Sequence, residues 1–245
     1  LLFSFFESHT LSYREIPIFL FLIFSFLLIV EEKTNILIPS IIGLLPLISL
    51  LWSLDRGIFL LASYIPFFLI LVINKKIKEL LIISSCALFS FFVFAISIGK
   101  IEFLSFISNS IDILSSSDML NGIIHPTPFS DDNNSTRASK SLIIILLNGI
   151  FLLNYTLKDE SKLRKNFKIY LLLYYFLSVV FYKIGITRSD GGHIKQGVSL
   201  NFILFIYLVI INFFYFLQKK RLNIFTKKLS INILIIFMFS GFLIK

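Results

Sequence analysis

Eight stretches of nearly unbroken apolar residues divide the chain, separated by short polar segments. They run Ile16–Val30, Ile36–Trp52, Ile58–Ile73, Leu80–Ile98, Leu142–Leu157, Ile169–Ile186, Val198–Leu217 and Ile231–Ile244. Each is near the length that crosses a bilayer as a helix, about 20 residues, and the shorter ones are expected to extend by a turn. One further element has a different texture. Ile101–Leu114 spaces Ile101, Phe103, Leu104, Ile107, Ile111 and Leu114 near helical period, with Ser, Asn and Asp between. That pattern predicts an amphipathic helix lying in the interface plane. The pattern therefore predicts an all-α, polytopic membrane bundle of about eight transmembrane helices. Residues 1–245 form a single transmembrane domain, with the interfacial helix inside a long loop at residues 99–141. There is no internal repeat and no soluble domain.

Composition agrees. Of 245 residues, 57% are hydrophobic and only 15% charged, with mean hydropathy +0.90. A soluble fold of this size could not hide so much apolar surface, so the solvent is lipid. The single Cys86 excludes an internal disulfide framework and a cysteine metal site. The chain starts at Leu1 and ends at Lys245 just after an apolar run, which suggests a fragment of a longer protein. No basic segment precedes a short apolar core at the start, which argues against a signal peptide. The richness in Ile, Phe, Lys and Asn favours a bacterial source.

The net charge of +9 would fit nucleic acid only if it formed a patch. It does not, because the basic residues sit in short loops. Lys75, Lys76 and Lys78 share one loop; Lys158, Lys162, Arg164, Lys165 and Lys168 a second; Lys219, Lys220, Arg221, Lys227 and Lys228 a third. With eight spans these loops fall on one side, which the positive-inside rule makes cytoplasmic. The acidic Glu31-Glu32 pair is the one weak dissent. The other side holds Leu1–Glu15, Asp55–Gly57, Gly99–Ser141 and Thr187–Gly197. All three histidines and four of six arginines are there. The expected location is the bacterial inner membrane, with candidate chemistry facing the periplasm or the cell exterior.

Candidate chemistry concentrates in four segments of that outer side. Thr187 to Lys195 places Arg188, Asp190 and His193 around the flexible pair Gly191-Gly192. Arg188 suits a phosphate; Asp190 or His193 suits proton transfer. The plain alternative is a solvated turn with a local ion pair. Asp55-Arg56-Gly57 forms a tight hairpin after Trp52, either a pinned charge pair or merely an interfacial anchor followed by a turn glycine. Ser130–Arg137 offers Asp131 and Asp132 to a divalent cation, or Asp132 as a base, with Arg137 as a phosphate contact. The alternative there is an Asx-rich turn leading into a capped helix. His125, in His125-Pro126-Thr127-Pro128, is a weaker candidate. Glu7, His9, Arg14 and Glu15 also lie on this side, unranked. No metal ligand set is evident and no cofactor is implied with certainty. No ionisable residue lies at mid-membrane, where only Asn148, Asn201, Asn212 and Asn232 are notable. Those suit bridging between helices rather than ion transport.

The Leu51-Trp52-Ser53-Leu54-Asp55-Arg56-Gly57 and Arg188-Ser189-Asp190-Gly191-Gly192-His193 segments, on a many-helix membrane chain, resemble motifs of bacterial envelope glycosyltransferases. These are the GT-C type transferases and the O-antigen polymerases and ligases. The resemblance implies sugar transfer from a polyprenyl-linked donor to a lipid or glycan acceptor in cell-envelope or lipopolysaccharide synthesis. Outer-loop Arg would hold the phosphate and Asp or His act as base. The chain departs from the pattern in having fewer helices than the ligases. The expected catalytic residues are Asp190, His193 and Asp132, and the expected phosphate contacts Arg188, Arg56 and Arg137, with Asp55 and His125 as further candidates. The expected partners are the donor, the acceptor and the bilayer, without nucleic acid. Two rivals stand beside this reading: a transporter or flippase for a lipid or amphiphile, and a non-catalytic assembly subunit.

Overall fold

The apolar runs become helices because nothing within them competes for the backbone, and each ends where polar residues begin. A computed structural model describes residues 13–31, 35–116, 126–131, 134–157, 165–186 and 191–219. A 3-10 turn at Tyr13–Glu15 leads into α1 (Ile16–Ile29), followed by α2 (Leu37–Trp52), α3 (Leu54–Ile73) and α4 (Ile77–Ile98). Then come α5 (Lys100–Ser115), α6 (Ser135–Leu157), α7 (Lys165–Ile186) and α8 (Gly191–Lys219). There is no strand among the described residues. The first seven expected spans coincide with α1, α2, α3, α4, α6, α7 and α8; Ile231–Ile244 lies outside the described residues. Among the described residues, four helices are long and apolar enough to cross a membrane: Leu54–Ile73, Ile77–Ile98, Ser135–Asn154 and Gly192–Asn212.

Three boundaries differ from the expected ones, all at polar segments. Asp55-Arg56-Gly57 is the first turn of α3, not a hairpin loop. Ser53 alone, extended at φ −162° and ψ 108°, separates α2 from α3. Asp55 suits that first turn because its charge complements the helix N-terminus. Gly57 is a packing residue rather than a turn residue: a Cβ there would stand 2.6 Å from the Leu50 Cα. His193 lies in α8, which starts at Gly191, not in a loop ending at Gly197. The reason is close packing. A Cβ on Gly197 would sit 2.9 Å from the Gly185 Cα on α7, so two bare backbones touch and the helix carries on past the glycines. Finally, α6 begins at Ser135, seven residues ahead of the apolar run.

The chain divides into two compact units, Leu1–Ile203 and Leu204–Lys245. In the first, α2 packs against α1, α3 and α4, while α7 packs against α1, α3 and α6. At the α2–α4 contact a Cβ on Gly43 would lie 2.5 Å from the Ile83 carbonyl oxygen. Phe21, Leu28, Ile42, Leu60, Phe67, Leu71 and Leu173 form the fully buried centre. In the second unit the described residues are the end of α8, where Leu204 and Leu208 are buried and Asn212 donates to the Leu208 carbonyl at 2.9 Å.

Polar side chains bridge neighbouring helices through backbone carbonyls. Pro46 has no N–H, so the carbonyl of Ile42, four residues earlier in α2, loses its helical donor. The buried Tyr64 hydroxyl on α3 donates to that carbonyl. Tyr170 and Tyr182 on α7 donate to Leu22 on α1 and Ala138 on α6, at 3.1 and 2.9 Å. The buried Asn148 Nδ2 on α6 donates to the Asn201 carbonyl on α8 at 2.7 Å. Asn201 in turn donates to the Ser178 carbonyl on α7 at 2.7 Å and accepts from the Ser178 hydroxyl at 2.8 Å.

α5 has the expected extent and amphipathic spacing but none of its residues is buried. It leaves α4 through Gly99, whose φ of +93° glycine adopts without strain. Phe103 and Phe106 meet Phe94 of α4 at ring separations of 6.1 and 5.6 Å.

The Pro46–Tyr64 relation is testable by a double-mutant cycle. Tyr64→Phe should destabilise the protein by about 1 kcal/mol, the scale of a cross-helix hydrogen bond in a membrane protein. Pro46→Ala restores a donor to the Ile42 carbonyl and should remove most of that loss when combined with Tyr64→Phe. Equal losses on both backgrounds, measured by unfolding in mixed micelles, would contradict the assignment.

Candidate functional site at the arginine-bearing end

Contacts between helices assign the charged residues of the first unit to its two ends. The Lys76 ammonium donates to the Leu28 carbonyl at the end of α1 at 2.6 Å. Phe26, two residues earlier, meets Phe167 and Tyr170 near the start of α7 at 6.3 and 5.2 Å. Lys75, Lys76, Lys78, Lys165 and Lys168 thus share one end. At the other, Glu15 meets Arg56, and the Tyr182–Ala138 bond aligns the close of α7 with the opening of α6. A Cβ on Gly185 would stand 3.0 Å from the His193 carbonyl oxygen, so α8 opens there too. Arg14, Glu15, Asp55, Arg56, Arg137 and His193 accordingly lie at the end opposite the lysine groups.

Among the described residues, the ion pairs at that end centre on Arg56. Its side chain is 3% exposed and that of Glu15 is 5% exposed; the Arg56 Nε donates to Glu15 Oε1 at 3.3 Å. The Arg56 Nη1 also pairs with Asp55 Oδ2. Asp55 Oδ1 accepts from the Ser53 hydroxyl at 2.6 Å and from the Arg56 backbone N–H at 2.8 Å. The neighbouring Trp52 donates its indole N–H to the Tyr13 carbonyl at 2.9 Å, and the two rings meet edge to face at 6.4 Å. The cluster therefore fastens the entry to α1 onto the α2–α3 junction.

Of the other expected site residues, His193 is half-buried in the first turn of α8 and Arg137 is exposed in the first turn of α6. Both helix openings abut the last turns of α7, through Tyr182 and Gly185. Asp132, His125, Arg188 and Asp190 lie outside the described residues. Glu15 is the residue to which sequence reasoning gave no rank. Its only signal was a carboxylate directly before a proline-led apolar run. Among the described residues no three His, Cys, Asp or Glu side chains group as metal ligands.

Away from this end, an apolar groove of about 540 Å³ runs between α3 and α7, lined by Pro66, Leu69 and Ile70 on one side and Leu172, Tyr175 and Phe176 on the other. It carries no charged side chain. Comparison with family models, curated proteins and solved structures finds no match to this chain.

Removing Glu15 leaves the buried Arg56 guanidinium with the partly exposed Asp55 as its remaining carboxylate, at a cost that approaches the roughly 3–5 kcal/mol of a buried charge left unpaired. Glu15→Ala should therefore destabilise the protein strongly. Glu15→Leu combined with Arg56→Met should recover most of the loss, because the pair then leaves no buried charge. Asp55→Asn should have a smaller effect, since that carboxylate is partly exposed and keeps its Ser53 partner. Thermal unfolding in micelles reads all three. A double variant no better than Glu15→Ala would contradict a mainly electrostatic role.

Proposed function

We propose that this chain is a polytopic membrane glycosyltransferase that transfers a sugar from a polyprenyl-linked donor at the extracytoplasmic face of a bacterial inner membrane. In this reading α1, α2 and α7 also span the bilayer, Ile231–Ile244 supplies an eighth span, and α5 lies in the interface. The lysine end is cytoplasmic by the positive-inside rule.

The observation that carries the proposal is the sorting of side chains along the bundle. No Asp, Glu, Lys, Arg or His lies in the middle turns of the described helices, and the described arginines, Arg14, Arg56 and Arg137, lie with His193 at the end away from Lys75, Lys76, Lys78, Lys165 and Lys168. A lipid-linked donor presents its phosphate at headgroup level, where such an end would meet it. Arg188 is the proposed phosphate contact, since the Arg56 guanidinium already faces Glu15 and Asp55. Asp190 or His193 takes the proton of the acceptor hydroxyl. The acceptor oxygen then bonds to the anomeric carbon as the bond from that carbon to the phosphate oxygen breaks. The lipid phosphate leaves with the electron pair, stabilised by Arg188. The apolar α3–α7 groove suits a hydrocarbon tail and lacks the polar path that a flippase would need. The second reading is a non-catalytic assembly subunit. The pairing of the buried Arg56 with two carboxylates favours it, because that cluster alone is a fastening.

Arg188→Lys separates the two readings. Lysine keeps the charge but loses the planar fork that grips two phosphate oxygens. Transfer should fall by roughly a hundredfold, on the order of 3 kcal/mol of transition-state stabilisation, at unchanged protein abundance. Glycan transfer in cells lacking the native gene is the readout. Full transfer by Arg188→Lys would exclude Arg188 as the phosphate contact.

A further inference from the structure

Two exposed aromatic rings stand beside a carboxylate at the arginine-bearing end. Trp52, the one tryptophan of the chain, is 52% exposed, and Tyr13 is 67% exposed. Their planes meet at 84°, so the two rings present faces in different directions. An interfacial tryptophan ordinarily turns its indole N–H toward water or headgroups while the ring meets lipid. Here the N–H is taken internally by the Tyr13 carbonyl. The protein itself holds the ring, whose exposed surface is a fixed platform.

The carboxylate is that of Asp55, three residues after Trp52. A closed circuit of contacts keeps the three side chains at one junction: Trp52 with Tyr13, Glu15 with Arg56, Arg56 with Asp55, and Ser53 with Asp55. A carboxylate offers about four lone-pair positions. Three donors reach that of Asp55: the Ser53 hydroxyl and the Arg56 backbone N–H at Oδ1, and Arg56 Nη1 at Oδ2. Oδ2 can therefore accept one more hydrogen bond, and the side chain is 38% exposed.

A pyranose ring has the matching chemistry. One of its faces carries C–H groups and stacks on the electron-rich face of an indole. Its rim carries hydroxyls, which a carboxylate accepts in charge-assisted bonds. An acyl chain would leave the carboxylate unused, and a phosphate would be repelled by it. We infer that Tyr13, Trp52 and Asp55 form a sugar-binding site at the α2–α3 junction, with a pyranose stacked on Trp52 and one of its hydroxyls donating to Asp55 Oδ2. The source of the ring, lipid-linked donor or acceptor glycan, rests on the transferase reading above.

Trp52 is its own reporter. The chain in phosphatidylcholine nanodiscs is titrated, without any donor lipid, with the methyl pyranosides of glucose, galactose and mannose, and with glycerol as a polyol that lacks the stacking face. At least one pyranoside should shift the Trp52 emission saturably below about 100 mM, the range of a weak specific contact, and glycerol should not. Asp55→Asn keeps the shape of the side chain and should weaken that binding by roughly tenfold. Trp52→Leu keeps an apolar side chain without the ring face. It should lower saturation transfer to the glycoside C–H protons, read by NMR, to the glycerol level. Circular dichroism checks the fold of both variants. No saturable shift with any pyranoside, an equal shift with glycerol, or unchanged affinity in Asp55→Asn overturns the site and leaves Trp52 as an interfacial anchor. With no donor present nothing is transferred, so these results stand apart from the Arg188→Lys test. In the transfer assay Asp55→Asn should raise KM for the donor if the donor carries the ring, and for the acceptor if the acceptor does. An unchanged KM for both overturns the site as a substrate site.

Discussion

A backbone carbonyl that loses its helical donor inside hydrocarbon has no water to replace it, so another part of the protein must supply a donor. The first unit depends on meeting that requirement across helices. Pro46 opens the Ile42 carbonyl, and the Tyr64 hydroxyl of α3 closes it. The same chemistry recurs where no proline demands it: Tyr170 reaches Leu22 and Tyr182 reaches Ala138. Each hydroxyl ties one helix to the next at a defined height, which apolar contacts alone do not fix. Lipid tails are as apolar as leucine, so burial of leucine gives helices little reason to prefer one another over lipid. Directional bonds and close backbone approach therefore set the arrangement.

Close approach is the second means. Gly43 lets α2 meet α4 at the Ile83 carbonyl, and Gly185 and Gly197 bring α7 and α8 into backbone contact. The Asn148–Asn201–Ser178 bonds join α6, α7 and α8 close to those glycine contacts in sequence. With the helices so fixed, the ends of α1, α3, α6, α7 and α8 bring Glu15, Arg56, Arg137 and His193 to one face of the bundle from positions far apart in the chain. The buried Arg56–Glu15 pair adds a fastening at that face, between residues 41 apart in sequence.

The helices were legible in the sequence because every polar interruption coincides with a helix end or close to it. The bridging role of Asn148 and Asn201 was legible for the same reason: an amide in an apolar run has few other uses. The need for a donor near Pro46 could be read from the proline; Tyr64 as the donor could not, since it depends on how α2 and α3 pack. Glu15 had no rank because nothing local distinguishes a carboxylate that will meet an arginine from one that faces water. The boundaries at Arg56, Ser135 and His193 were misplaced because short polar segments look like loops. Here, packing at Gly57 and Gly197, and serine hydroxyls at the start of α6, extend the helices through them. The expected activity rests on Arg188 and Asp190, whose segment lies outside the described residues.

The proposed transfer requires the end bearing Lys75–Lys78 and Lys165–Lys168 and the end bearing Arg56 and Arg137 to lie on opposite faces of a membrane. Single cysteines placed at Lys78, Lys165 and Thr136 in a Cys86→Ser background test this directly. In intact cells an impermeant maleimide should label the Thr136 position alone; after lysis it should label all three. Labelling of the Lys78 or Lys165 position from outside, or protection of Thr136, would contradict the arrangement.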